Sequence, residues 1–204
     1  MTRRNLSAGL VLALLLGASV ARAADVPLSI AKSVEAVASR PAFVPHDDWF
    51  AVALDFAPVE KLRGQLEARL GKPLLHRGEA HLTLVTPPEW SILSQVLRMR
   101  DVEALATKKK VHERPFTVRC VKKVSATLAG ATEESWFVAV SAPELLEFRK
   151  DLWRLYMAKG GSSEDFKWRR WVPHITLGFT KRDLYDEDLV NKEKADCAFG
   201  LTLE

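Results

Sequence analysis

The sequence predicts a mixed fold of strands and helices assembled from a duplicated unit. Three observations carry that expectation. The order strand, helix, strand occurs over residues 49–85 and again over residues 136–180. The closing strand of each copy holds a His-x-Thr triplet, His81-Leu82-Thr83 and His174-Ile175-Thr176. The 204-residue chain is 48% hydrophobic and 27% charged, with 10 Gly, 10 Pro and 2 Cys, the balance of one domain or two small lobes. Disordered, collagen-like and cysteine-stapled chains need a more skewed composition.

The first segment reads as an address. Arg3 and Arg4 precede an apolar run at residues 10–20, followed by Ala21-Arg22-Ala23. A positive head, an apolar stretch of about a dozen residues and small residues at the cleavage positions describe a secretory signal peptide, residues 1–23. A membrane anchor, the other reading, needs roughly 20 apolar residues. Arg3-Arg4 also fits a twin-arginine signal loosely, so the export route stays open. The expected location is secreted or periplasmic, with no membrane span after cleavage. Removing Arg3, Arg4 and Arg22 from the 30 basic residues leaves 27 against 26 acidic ones, near +1 rather than the formal +4. That argues against a general polyanion binder, and no stable nucleic-acid complex is expected. In an oxidising compartment Cys120 and Cys197 permit one bridge, or they are two small buried hydrophobes that never meet.

Residues 24–45 read as a leader with helical character at residues 30–38, and residues 46–204 as the domain proper. Trp49-Phe50 opens an aromatic and apolar strand over residues 49–56. Pro58 begins a helix to Leu70 with Leu62, Leu66 and Leu70 on one face and Gly71 just past its end. A second strand covers residues 79–85, and Pro87-Pro88 stops it. A further helix begins near Trp90, with Lys108-Lys109-Lys110 a solvated connector behind it. In the second copy, Trp136-Phe137 opens a strand over residues 136–140, Pro143 starts a helix to about Met157, and a strand covers residues 172–180. Residues 116–128 and 195–203 read as strands flanking the motif strands.

On a strand, side chains at i and i+2 share a face roughly 6.5 Å apart. His81 and Thr83 therefore point one way while Leu82 and Leu84 enter a core, and His174 and Thr176 divide in the same way from Ile175 and Leu177. If the two units pack around a pseudo-two-fold axis, two imidazoles and two hydroxyls line one cleft. That set suits displacement at a phosphodiester. One neutral imidazole takes a proton from the nucleophile, one charged imidazole protonates the leaving oxygen, and the hydroxyls bind non-bridging oxygens. No metal or other cofactor is required, and two histidines without nearby carboxylate or thiolate ligands make a poor zinc site.

The paired triplets, and especially Trp171-Val172-Pro173-His174-Ile175-Thr176-Leu177, resemble the 2H phosphoesterase superfamily over residues 49–203. The first motif, running from Gly78 to Glu89, departs from the LigT-like pattern and is similar to the Swiss Army Knife branch. The resemblance implies a bilobal α+β fold: two pseudo-symmetric lobes, each an antiparallel sheet with outer helices, and a metal-independent site in the groove between them. It implies His81 as proton donor to a leaving ribose oxygen, His174 as the base that activates water, and Thr83 and Thr176 as phosphate ligands. The implied activity is hydrolysis of a 2′,3′-cyclic phosphate or related 2′-linked nucleotide, and the chain is expected to be a monomer. The alternative is a nucleotide-binding module with the same groove and no turnover.

Several further residues admit two readings. Glu79 shares the His81 face and orients the ring or is simply solvated. Gly178 leaves room for substrate or marks a bulge. Lys167, Arg169 and Arg170 form a basic rim that contacts substrate, or a solvated loop, and Trp168 stacks on a base. Trp171 is assigned to core packing, and His46 and His76 to structural or exposed positions.

Overall fold

The computed structural model describes residues 26–35, 43–45 and 47–204. The expected signal peptide and His46 lie outside the described residues.

Two sheets of unequal size result. The larger has the order β1-β8-β5-β6-β7, built from β1 (Leu28–Ile30), β5 (Thr117–Leu128), β6 (Ala131–Ser141), β7 (His174–Phe179) and β8 (Cys197–Leu203). The smaller has the order β2-β3-β4, from β2 (Phe43–Pro45), β3 (Phe50–Leu54) and β4 (Ala80–Val85). The helices are α1 (Phe56–Leu70), α2 (Pro87–Leu93), α3 (Met99–Lys108) and α4 (Pro143–Ala158). The mixed α+β class holds.

Local chemistry sets the element ends. The Asp55 carboxylate accepts the Ala57 amide at 3.2 Å, which starts α1 ahead of Pro58 and takes Phe56 from the expected strand. Gly71, at φ 66°, ends α1 by donating to the Glu67 carbonyl. Pro87 and Pro88 both stop β4 and open α2, because the first helical turn has no use for their missing N–H. Ala129 and Gly130, both at positive φ, turn β5 back onto β6. Of the stretch expected to be helical at residues 30–38, Ile30 ends β1, which pairs in parallel with β8, Lys32–Glu35 form a 3-10 helix, and residues 36–38 lie outside the described residues.

Two matched lobes are not confirmed. The sheets have five strands and three, and one hydrophobic cluster draws on both, including Phe50, Leu82 and Leu84 with Val121, Val138 and Ile175. The helices are also exchanged. α1 packs against β1 and β7 of the larger sheet, and its Gln65 side chain bonds both the amide and the carbonyl of Ser29 at 2.9 Å. α4 follows β6 in the chain yet meets the smaller sheet, with Phe148 6.4 Å from the Phe50 ring.

What does repeat is the register around each motif. β3 and β4 pair antiparallel as Ala53↔His81, Val52↔Leu82 and Ala51↔Thr83, then skip Leu84 to reach Phe50↔Val85. β6 and β7 pair antiparallel as Ala139↔His174, Val138↔Ile175 and Phe137↔Thr176, then skip Leu177 to reach Trp136↔Gly178. Each motif strand thus carries a bulge directly after its threonine. The equivalence sets Phe50 against Trp136, so the match of Trp49-Phe50 with Trp136-Phe137 is one residue out. β5 and β8 do not flank the motif strands; β5 lies between β6 and β8, and Cys120 and Cys197 form a disulfide across the β5–β8 pair.

Candidate active site

β4 and β7 are the edge strands of their sheets, and these two edges lie against each other. Leu75, just ahead of β4, exchanges both backbone hydrogen bonds with Phe179 of β7, at 2.8 and 2.9 Å. Gly178 serves this junction: a Cβ there would stand 2.8 Å from the Leu74 Cβ and 2.9 Å from the Leu75 carbonyl oxygen. Close approach of the chain, not room for substrate, explains that glycine. Trp171 adds a second tie, its indole N–H donating to the Thr83 carbonyl at 2.9 Å.

Arg149 of α4 braces the same region. Fully buried, it donates to the Leu84 carbonyl on the β4 bulge and to the Trp168 carbonyl, and it forms a two-armed pair with Glu89. A buried guanidinium with all these acceptors holds the β4 bulge and the chain before β7 in one geometry.

The alternation expected of both motifs is present. Leu82, Leu84, Ile175 and Leu177 are buried, while His81, Thr83, His174 and Thr176 are half-buried. His81 and Thr176, one from each sheet, line a common pocket with Phe56, His76, Arg77 and Glu79. His81 lies close enough to His174 to disfavour a proton there.

The two histidines have unlike surroundings. The His81 ring is 4.7 Å from that of Trp49, and its Nδ1 is 3.4 Å from the Glu79 carboxylate. Glu79 therefore approaches the ring, although it is partly exposed. His174 packs edge-on against Phe137, centroids 5.3 Å apart. Its Nδ1 is 2.8 Å from the Val172 carbonyl, which can only accept, so Nδ1 carries the hydrogen and Nε2 the lone pair. The Lys192 ammonium sits 3.1 Å from that Nε2. Burial, then the Lys192 charge, push the His174 pKa down to about 4, against the opposing pull of the Val172 carbonyl and Asp183.

Lys192 and Asp183, which the sequence did not single out, stand beside His174 and Thr176. Both are buried, with Nζ 3.3 Å from Asp183 Oδ1, and the Thr176 hydroxyl donates to Asp183 Oδ2 at 3.2 Å. Burial works against the Asp183 carboxylate, but Lys192 and His174 hold its pKa below the ordinary value. A lone lysine and a lone aspartate in a loop carry no sequence signal of this kind.

Residues 48–185, more than half of the chain, match the family described as Swiss Army Knife, 2H phosphoesterase domain. The chain belongs to that family. No curated protein and no solved structure matches it. Membership in the 2H phosphoesterases supports phosphoester hydrolysis in general.

The proposed rim of this 2H phosphoesterase is not brought to the pocket. Arg169 and Arg170 are exposed, and Arg169 lies over the Trp168 ring at 4.2 Å, with Lys150 5.6 Å from the same ring. Trp168 itself packs on the core. His76, assigned to a structural or exposed position, is exposed and stacks on Phe56 with centroids 5.8 Å apart. Among the described residues, no group of three or more His, Cys, Asp or Glu is placed to hold a metal ion, and no helix is long and apolar enough to cross a membrane.

Proposed function

We propose that the protein hydrolyses a cyclic phosphodiester, a 2′,3′-cyclic phosphate or related 2′-linked nucleotide, by acid–base catalysis with its two histidines and without a metal. His174 is the base. A pKa of about 4 leaves it neutral at pH 7, with Nε2 the atom that takes the proton of the attacking water. His81 is the acid, delivering a proton to the leaving ribose oxygen. The Glu79 carboxylate beside it has the right sign to accompany a ring that carries a proton. Thr83 and Thr176 hold non-bridging oxygens. Water forms the new P–O bond, the ester P–O bond breaks, and one proton moves from water to His174 while another moves from His81 to the leaving group.

The observation that carries this reading is the matched register of the two His-x-Thr strands at adjoining sheet edges. The cellular setting proposed with it is secreted or periplasmic; the signal-peptide pattern at residues 1–23 and the Cys120–Cys197 bridge support it. The test is turnover of 2′,3′-cyclic mononucleotides in EDTA, with the products identified. A bell-shaped pH dependence that is lost in the double histidine variant is expected. Nucleotide affinity without turnover would replace the enzyme with a binding module.

A further inference from the structure

Lys192 lies beyond the family-matched segment, on the loop that leads into β8, and the two-histidine reading gives it no task. We propose that Lys192 is a catalytic residue: when substrate binds, its ammonium leaves His174 Nε2 for a non-bridging phosphate oxygen, anchoring the phosphate and freeing the base. The inference rests on the phosphodiesterase reading of the same site and adds a third reacting group to it.

His174 Nδ1 is committed to the Val172 carbonyl, so Nε2 is the one basic atom of that ring, and the Lys192 ammonium stands 3.1 Å from it. A lone pair held by an ammonium cannot take a proton from water, so this contact must break before the base acts. The ammonium then needs a new acceptor. Asp183 Oδ1 takes one of its protons, while the Phe137 and Tyr185 rings, 5.6 and 5.4 Å away, face the cation without accepting strongly. Lys192 is 8% exposed, which leaves little room for water to substitute. A phosphate oxygen arriving between His81 and Thr176 supplies the acceptor. Thr176 is held in the same way, its hydroxyl donating to Asp183 until an anion competes for it.

Charge points the same way. A phosphodiester monoanion gains negative charge on its non-bridging oxygens as water attacks, and a neutral His174 cannot answer it. The groups acting on Lys192 are Asp183 and Asp186 on the negative side and Arg77 on the positive side, with His174 at its tip. Burial lowers the ammonium's pKa and Asp183 works against that. Lys192 keeps its proton throughout: water's proton goes to His174 and the leaving oxygen's proton comes from His81.

The test uses the full chain. Inorganic phosphate is titrated into wild type labelled at lysine and histidine nitrogens, following Lys192 Nζ and His174 Nε2 by NMR. In parallel, kcat and phosphate affinity are measured for Lys192→Met and Lys192→Arg. Phosphate is expected to move both resonances together. Lys192→Met is expected to lose about 10²- to 10³-fold in kcat, the scale for one charge-stabilising donor, and Lys192→Arg to keep part of the activity. A folded Lys192→Met variant within twofold of wild type in kcat and phosphate affinity overturns the proposal, as does a wild-type Nζ that ignores phosphate. If Lys192→Met fails to fold, the arginine variant and the wild-type titration decide. If wild type turns over no cyclic ester, the phosphodiesterase reading falls, and the phosphate titration still judges Lys192.

Discussion

The surroundings of His81 and His174 differ far more than their backbones do. Each ring sits opposite an alanine in an antiparallel pair, two residues before a threonine and three before a bulged leucine. Yet His81 meets Trp49, a partly exposed Glu79 and a pocket it shares with Arg77 and Thr176, whereas His174 meets Phe137 and a buried lysine that is itself paired with a buried aspartate. A matched register thus delivers two identical side chains into unlike surroundings, and at His174 those surroundings disfavour the proton. Division of acid and base labour requires that kind of asymmetry.

The largest expected effect tests whether both halves share one reaction. His81→Ala and His174→Ala should each lower kcat/KM on cyclic mononucleotides by about 10²- to 10⁴-fold, the usual contribution of general acid–base catalysis. A variant that keeps full activity breaks the comparison. Next comes the charge that only the His174 half buries. Asp183→Asn leaves the Lys192 ammonium without its counter-charge, and breaking a buried pair costs about 3–5 kcal/mol, readable in urea denaturation.

The third expectation concerns pH. His174 has a folded pKa of about 4, depressed from an ordinary 6.5 by burial and by Lys192. The unfolded chain therefore binds the proton first as pH falls. The stability this neutral ring contributes is fully present above about pH 6.5 and is lost on the way down to pH 4. His174→Gln should flatten the pH dependence of the urea midpoint in that window. For the same reason the acid limb of kcat/KM is expected near pH 4; a limb near 6.5 would make the two rings equivalent. The smallest effect is expected at Glu79, whose partly exposed contact with His81 is worth about 0–1 kcal/mol. Glu79→Gln should change kcat/KM by less than about tenfold.

The local half of this site was legible in the sequence. Period-two alternation separates His81 and Thr83 from Leu82 and Leu84, and the same rule divides the second motif. Helix α4 was equally plain, because Pro143 marks its first turn. What depended on non-local pairing was not legible. Nothing in residues 28–30 announces a parallel partner at Leu201–Leu203, and only the strand register, not the shared Trp-Phe letters, shows that Phe50 is the counterpart of Trp136. The exchange of α1 and α4 between sheets is likewise a packing outcome, and with it one hydrophobic cluster draws on both sheets. Lys192 and Asp183 acquire meaning only when the loop after β7 folds back onto His174.

The most direct measurement is a structure of the protein with a 2′- or 3′-mononucleotide product bound. A single phosphate with oxygens within hydrogen-bond reach of Nε2 on both imidazoles is the predicted result. A phosphate held by one ring alone, or seated away from both, would contradict the account.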